Sequence, residues 1–321
     1  MPWVRRLLFT ILLVTLAWQS FKVAFPQQEL SIRAQFRTSL ESLFPRQAQE
    51  SKSRFGLIRM HDAAPGKTEV VLVHGLDDPG KVWMNLAPTL SAEGYGVSAM
   101  EYPNDQAIRQ SAKLLQRALH DLSRQSFTQV SIVAHSMGGL VVREMLTSPS
   151  LTCSAIDCQR VRVDKLIMVG TPNHGSQLAR LRGLSEVREQ LSRLVSGDVG
   201  WLDWIFDGAG EAGINLVPNS DFLMQLNARP HAKDTAMAVI AGIVAKEPLD
   251  ALSELLTANT GDQHHEWPLE GDMLVSLSSA KLVGVPFYRV SGNHLSIIRN
   301  VSKNSERIPP AVPLVLRLLK E

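Results

Sequence analysis

One junction constrains this chain more than any other. Residues Gln129–Ala134 (QVSIVA) are apolar and β-branched enough for a strand buried on both faces. Residues Met137–Leu146 carry their apolar side chains at helical spacing. Between them runs Ala134-His135-Ser136-Met137-Gly138, with a small residue two positions to either side of a serine. Strand must become helix in a single tight turn, where bulky flanking side chains collide, so Ala and Gly are what the geometry tolerates. Such a turn lifts the Ser136 hydroxyl above the C-terminal edge of a sheet. The helix N-terminus behind it favours developing negative charge.

The neighbouring segments supply that sheet. Phe55–Met60, Glu69–Val73 (EVVLV), Gly96–Met100, Asp164–Val169 (DKLIMV), Ala236–Ala241 (AMAVIA) and Pro286–Val290 (PFYRV) read as further strands. Helices are expected over Trp83–Ala92, over a segment in which Ile108, Ala112, Leu115, Leu119 and Leu122 recur, and over Pro310–Leu319. Asn104 or Asp105 is placed to cap the second of these. Strands alternating with helices predict an α/β fold, with a mostly parallel central sheet covered by helices on both faces. The alternation stops between Ser176 and Arg229, so residues 176–230 are expected to form a helical cap or lid inserted in a domain spanning 55–321. Residues 26–54, polar with scattered Leu and Phe, read as a linker or amphipathic surface segment.

The N-terminus has a different character. Arg5 and Arg6 precede an apolar run from Leu7 to Trp18, so residues 1–25 read as an export signal, either cleaved or kept as a membrane anchor. In both cases the bulk of the chain crosses the membrane, which places it on the periplasmic side or secretes it. Cys153 and Cys158, five residues apart, could close a small disulfide loop in such an oxidising compartment; two unpaired buried thiols are the alternative. The net charge of +2, with no stripe of Lys and Arg, gives no argument for nucleic acid. His264-His265-Glu266 matches no metal-ligand spacing and reads as a surface loop, so no metal site is expected.

LVHGL (72–76), VAHSMGGLVVREM (133–145), VGTPNHGS (169–176) and NSDFLMQLN (219–227) together resemble the α/β-hydrolase superfamily, within it the bacterial lipase and esterase branch. VGTPNHGS is also similar to deacylases that act on lipid-linked glycans. The resemblance covers roughly residues 55–300 and implies Ser136 as nucleophile. Its oxyanion hole would be made by the backbone N–H groups of Met137, the residue after the nucleophile, and Leu76, in the loop after an early strand. The order Ser, then Asp or Glu, then His restricts the other two members to residues after Ser136. His294, in the loop after the last strand, is the expected base, ahead of His174, His231, His264 and His265. Asp272, in EGDMLVSLSSA, is the expected acid, ahead of Glu270, Asp262, Glu266 and Asp250.

The implied activity is that of a serine carboxylic-ester hydrolase, an esterase or triacylglycerol lipase, acting on a small-molecule or lipid ester without a cofactor. The same machinery would serve an acyltransferase or a lipid-linked deacylase, and the fold alone would serve a non-catalytic binding protein. Trp201, Trp204 and Phe206 form an apolar run inside the cap. They read either as a lid that meets a lipid surface or as the buried face of a cap helix.

Overall fold

The computed structural model describes residues 55–76, 81–103, 106–123, 128–151, 161–176, 211–244, 270–300, 302 and 305–321, with scattered positions between 21 and 45. Residues 1–20 of the expected export signal, Cys153, Cys158, Trp201, Trp204, Phe206, His264 and His265 lie outside them. Among the described residues no helix is long and apolar enough to cross a membrane.

The described strands form one seven-stranded sheet. β1 (Gly56–His61), β2 (Glu69–Val73), β3 (Gly96–Glu101), β4 (Gln129–His135), β5 (Arg162–Val169), β6 (Ala236–Ile243) and β7 (Phe287–Ser291) lie in the order β1-β3-β2-β4-β5-β6-β7. β1 runs antiparallel to β3, and every other pairing is parallel. The predicted strands therefore form, within two residues of their expected ends.

Alternate side chains of the inner strands feed two cores. Val71 and Val73 of β2, with Ile132 and Ala134 of β4, pack on one face against α2 (Ile108–Ser123) and α3 (Met137–Thr147). Val70, Leu72, Val133 and Ile167 pack on the other face with α1 (Leu86–Ala92) and α7 (Ala311–Lys320). Both faces being covered explains why these strands read as continuous apolar runs rather than alternating ones.

One helix expectation needs correction. The segment Trp83–Ala92 is not one helix: a 3-10 turn covers Lys81–Trp83, and α1 begins at Leu86. Pro88 supplies the reason. In a helix begun at Trp83 it would sit in the interior and lose a hydrogen bond, whereas starting at Leu86 puts it in the first turn, where no N–H is needed. The start of α2 is capped from afar, its Ile108 N–H donating to Asn215 Oδ1 at 3.1 Å; Asn104 and Asp105 lie outside the described residues. Asn215 ends α4 (Glu211–Asn215), which with α5 (Asp221–Asn227) forms the described part of the expected cap.

The winding of the sheet locates the site. The chain goes from β2 outward to β3 and then returns to β4 on the other side of β2. Connections leave the carboxyl ends of β2 and β4 in opposite directions there, opening the crevice in which α/β sheets bind ligands.

Candidate active site

Ser136 stands at that crevice, between β4 and α3. Its backbone adopts φ 54° and ψ −129°, a left-handed conformation rarely taken by residues other than glycine. The strain is held by the elements on either side. The Ser136 N–H donates to the Val169 carbonyl at 2.8 Å, and its own carbonyl accepts the Gly139 N–H at 3.1 Å. The small flanking residue at 138 has a more specific cause than a clash between the two flanks. A Cβ on Gly138 would fall 2.3 Å from the Val73 carbonyl oxygen and 2.5 Å from that of His74, so glycine lets α3 seat on the end of β2.

The loop after β2 comes equally close. Val73 pairs with Ala134, so His74-Gly75-Leu76 runs beside the turn. A Cβ on Gly75 would meet Ser136 Cβ at 2.6 Å and Oγ at 3.1 Å. The backbone leading into Leu76 thus passes against the serine. Met137 is the first residue of α3, where an N–H has no acceptor inside the helix.

Asp272 and His294 meet directly. Both are buried, and His294 Nδ1–H donates to Asp272 Oδ2 at 2.7 Å. The other carboxylate oxygen accepts the N–H groups of Leu274 and Val275 at 3.0 and 2.7 Å. The His294 N–H closes the unit onto the Asp272 carbonyl at 2.9 Å. Asp272 is held in the loop beyond β6, its Cβ packed against Gly242, and His294 in the loop beyond β7. Both loops leave the same edge of the sheet as Ser136.

Two contacts join this pair to the serine turn. Gly170 follows the residue whose carbonyl holds Ser136, and a Cβ there would lie 3.2 Å from the His294 ring and 3.3 Å from Asp272 Oδ2. His135, the residue before Ser136, donates its Nε2–H to the His294 carbonyl at 3.0 Å, with the two rings 4.8 Å apart. Burial, reinforced by the nearby His294, pushes the His135 pKa down to about 3 and keeps that imidazole neutral. The Ser136 hydroxyl makes no hydrogen bond to the His294 ring in this structure.

The rival histidines among the described residues are engaged elsewhere. His174 donates Nε2–H to the Lys281 carbonyl at 3.1 Å, and His231 does the same to Val283 at 3.0 Å. Both imidazoles are spent as latches on the segment after α6 (Leu277–Ala280). Glu270 is exposed, and Asp250, Asp262, His264, His265 and Glu266 lie outside the described residues.

The segment VGTPNHGS builds the floor of the site. The buried Asn173 side chain accepts from Arg143 Nη1 of α3 at 3.0 Å and donates to the Ala280 carbonyl at 2.7 Å. Its own carbonyl accepts Asn227 Nδ2 of α5 at 2.9 Å. Arg143 Nη2 also donates to Asn227 Oδ1 at 2.9 Å. One asparagine thus ties the helix that follows Ser136 to the end of α6, the short helix that follows Asp272. Sequence reasoning assigned no role to His135, Tyr102, Arg143 or Asn173. The only signal for His135 was its position inside the serine motif.

The family model described as "Domain of unknown function (DUF7379)" matches residues 106–214, about a third of the chain. No curated protein matches by sequence. Among solved structures the chain is similar to lipase BlEst2 of Bacillus licheniformis, at 22% identity and a TM-score of 0.56 over 82% of this chain and 97% of that one. It is similar to the Staphylococcus hyicus lipase at 13% identity and a TM-score of 0.54, over 81% and 97%. It is also similar to phospholipase PlaB of Legionella pneumophila, at 18% identity and a TM-score of 0.52, over 80% of this chain but only 60% of that protein. Identities this low speak to architecture, and the architecture that this chain shares with those bacterial lipases and that phospholipase is the α/β-hydrolase fold.

Proposed function

We propose that the protein is a serine carboxylic-ester hydrolase in which Ser136, His294 and Asp272 act as nucleophile, base and acid. The observation that carries the reading is the strained Ser136 turn, set on the same sheet edge as the buried Asp272–His294 pair. A backbone held in a disfavoured conformation at a crevice marks a place where function outweighs stability.

The chemistry follows from the hydrogen bonds. Asp272 accepts from Nδ1, which leaves Nε2 of His294 as the basic nitrogen. Nε2 takes the Ser136 proton as Oγ attacks the ester carbonyl, and Asp272 stabilises the imidazolium that results. Hydrogen bonds of this kind tighten when substrate arrives. The N–H groups of Met137 and Leu76 stabilise the tetrahedral oxyanion. His294 then gives the proton to the leaving alcohol, and a water activated by the same nitrogen frees the acyl group from Ser136.

Two further parts of the reading rest on sequence. Arg5, Arg6 and the apolar run to Trp18 support export, with anchoring or cleavage as the two outcomes. Trp201, Trp204 and Phe206 support either a lid that meets a lipid surface or the buried face of a cap helix.

The test is turnover of p-nitrophenyl esters of increasing chain length by the full-length protein, beside Ser136→Ala. The expected result is hydrolysis that vanishes in the variant, with the chain-length profile separating esterase from lipase. Undiminished turnover in Ser136→Ala would contradict the assignment.

A further inference from the structure

We propose that Tyr102 and His74 form a clamp that aims the Leu76 N–H at the oxyanion, making both of them positioning residues for the transition state; this rests on the esterase reading above. Tyr102 directly follows β3, and His74 directly follows β2, its parallel neighbour. The Tyr102 hydroxyl donates to the His74 carbonyl at 2.5 Å. The phenol ring stacks on the His74 imidazole, with centroids 4.4 Å apart and planes 19° from parallel. His74 Nδ1–H in turn donates to the Gly75 carbonyl at 2.7 Å. Both side chains are buried.

The acceptors are carbonyl oxygens, so the donors are determined: Tyr102 is a neutral phenol and His74 carries its proton on Nδ1. Burial, with Glu101 nearby, pushes the Tyr102 pKa far up and keeps the phenol proton in place. Two successive peptide groups are therefore held by their carbonyls. A trans peptide is planar, with its N–H pointing opposite to its C=O. Fixing the Gly75 carbonyl consequently fixes the direction of the Leu76 N–H. That peptide begins at the Cα packed against Ser136, where a Cβ would stand 3.1 Å from Oγ. The group being aimed is thus next to the position of attack. An oxyanion donor contributes through preorganisation, so a side chain that holds its peptide plane affects the transition state more than the bound ester.

Full-length wild type and Tyr102→Phe would be compared for kcat and KM on p-nitrophenyl butyrate, for inhibition by a trifluoromethyl ketone, and for thermal melting. The ketone forms a hemiketal oxyanion on the serine and so reads the donor directly. Removing an oxyanion donor outright costs roughly a hundred- to a thousandfold in kcat, and loosening one is expected to cost about tenfold. The clamp predicts that loss in kcat and in ketone affinity alike, with KM and the melting temperature little changed. It also predicts that His74→Asn, which keeps an amide donor where Nδ1 stands, retains more kcat than His74→Leu. Wild-type kcat and ketone affinity in Tyr102→Phe would overturn the clamp, as would equal losses in the two His74 variants. A wild type that neither hydrolyses the ester nor binds the ketone would overturn the hydrolase reading itself, a result distinguishable from failure of the clamp.

Discussion

The imidazole of His135 donates to the carbonyl oxygen of His294 across 3.0 Å, so the residue before the serine holds the main chain of the residue proposed as its base. This bond links the β4 turn to the loop after β7, which are 159 residues apart in the chain. It assigns His135 a positioning task inside the serine motif.

Replacement of His135 should separate that task from simple packing. Glutamine keeps an amide donor near the place of Nε2, whereas leucine fills space without one. Misplacing a catalytic group by about 1 Å can cost on the order of a hundredfold in rate. His135→Leu is therefore expected to lose most of kcat, and His135→Gln to recover much of it, in steady-state kinetics on a p-nitrophenyl ester. Equal losses in the two variants would mean that the hydrogen bond is not what matters.

The same histidine sets a pH dependence of stability. Its folded pKa of about 3 lies below the ordinary histidine value of 6.5, so the unfolded chain binds the extra proton. Its stabilising contribution is complete above pH 6.5 and is lost as the pH falls towards 3. The slope approaches about 1.4 kcal/mol per pH unit within that window. Urea unfolding between pH 7 and pH 4 should show a steeper loss for the wild type than for His135→Gln, and parallel curves would contradict the assignment.

The strain at Ser136 should be measurable as stability. Ser136→Gly and Ser136→Ala both remove the hydroxyl and should both be inactive. Glycine alone relaxes φ 54°, a conformation that costs other residues roughly 1–3 kcal/mol. Part of that gain is offset by the greater entropy of glycine in the unfolded chain. Ser136→Gly is expected to exceed Ser136→Ala by about 1 kcal/mol in chemical denaturation. Equal stabilities would mean that the turn stores no strain.

Asn173 offers a test of the floor. Asn173→Leu removes one acceptor from the buried Arg143 guanidinium and leaves the Ala280 carbonyl without its donor. Burial already lowers the Arg143 pKa to about 10, a sign of how poorly water reaches it. Unsatisfied buried groups of this kind cost about 1–3 kcal/mol each. A fall of about 3 kcal/mol in unfolding free energy is expected, and a loss under 0.5 kcal/mol would show that water replaces the asparagine.

Much of this arrangement was legible in the residues. The strands are buried apolar runs, and such runs announce themselves locally, as EVVLV and QVSIVA do. The serine turn carries its own steric signature, and the chain order restricted the acid and base to a short field. Contacts made across the sheet were not legible. Nothing near Ile108 shows that Asn215 caps its helix, and nothing near Tyr102 shows that it reaches His74. Those partners depend on which strand ends lie side by side, a product of the whole winding. The break before α1 was within reach, since Pro88 marks where a helix can begin.

The central claim is that Ser136 is a nucleophile served by the Asp272–His294 pair. The most direct measurement is mass spectrometry of the full-length protein after treatment with a p-nitrophenyl alkylphosphonate. The account predicts a single phosphonyl adduct on the peptide containing Ser136, formed at least a hundredfold more slowly in Asp272→Asn, where the imidazole would be held in the wrong tautomer. An unlabelled wild type, or an adduct on another serine, would contradict it.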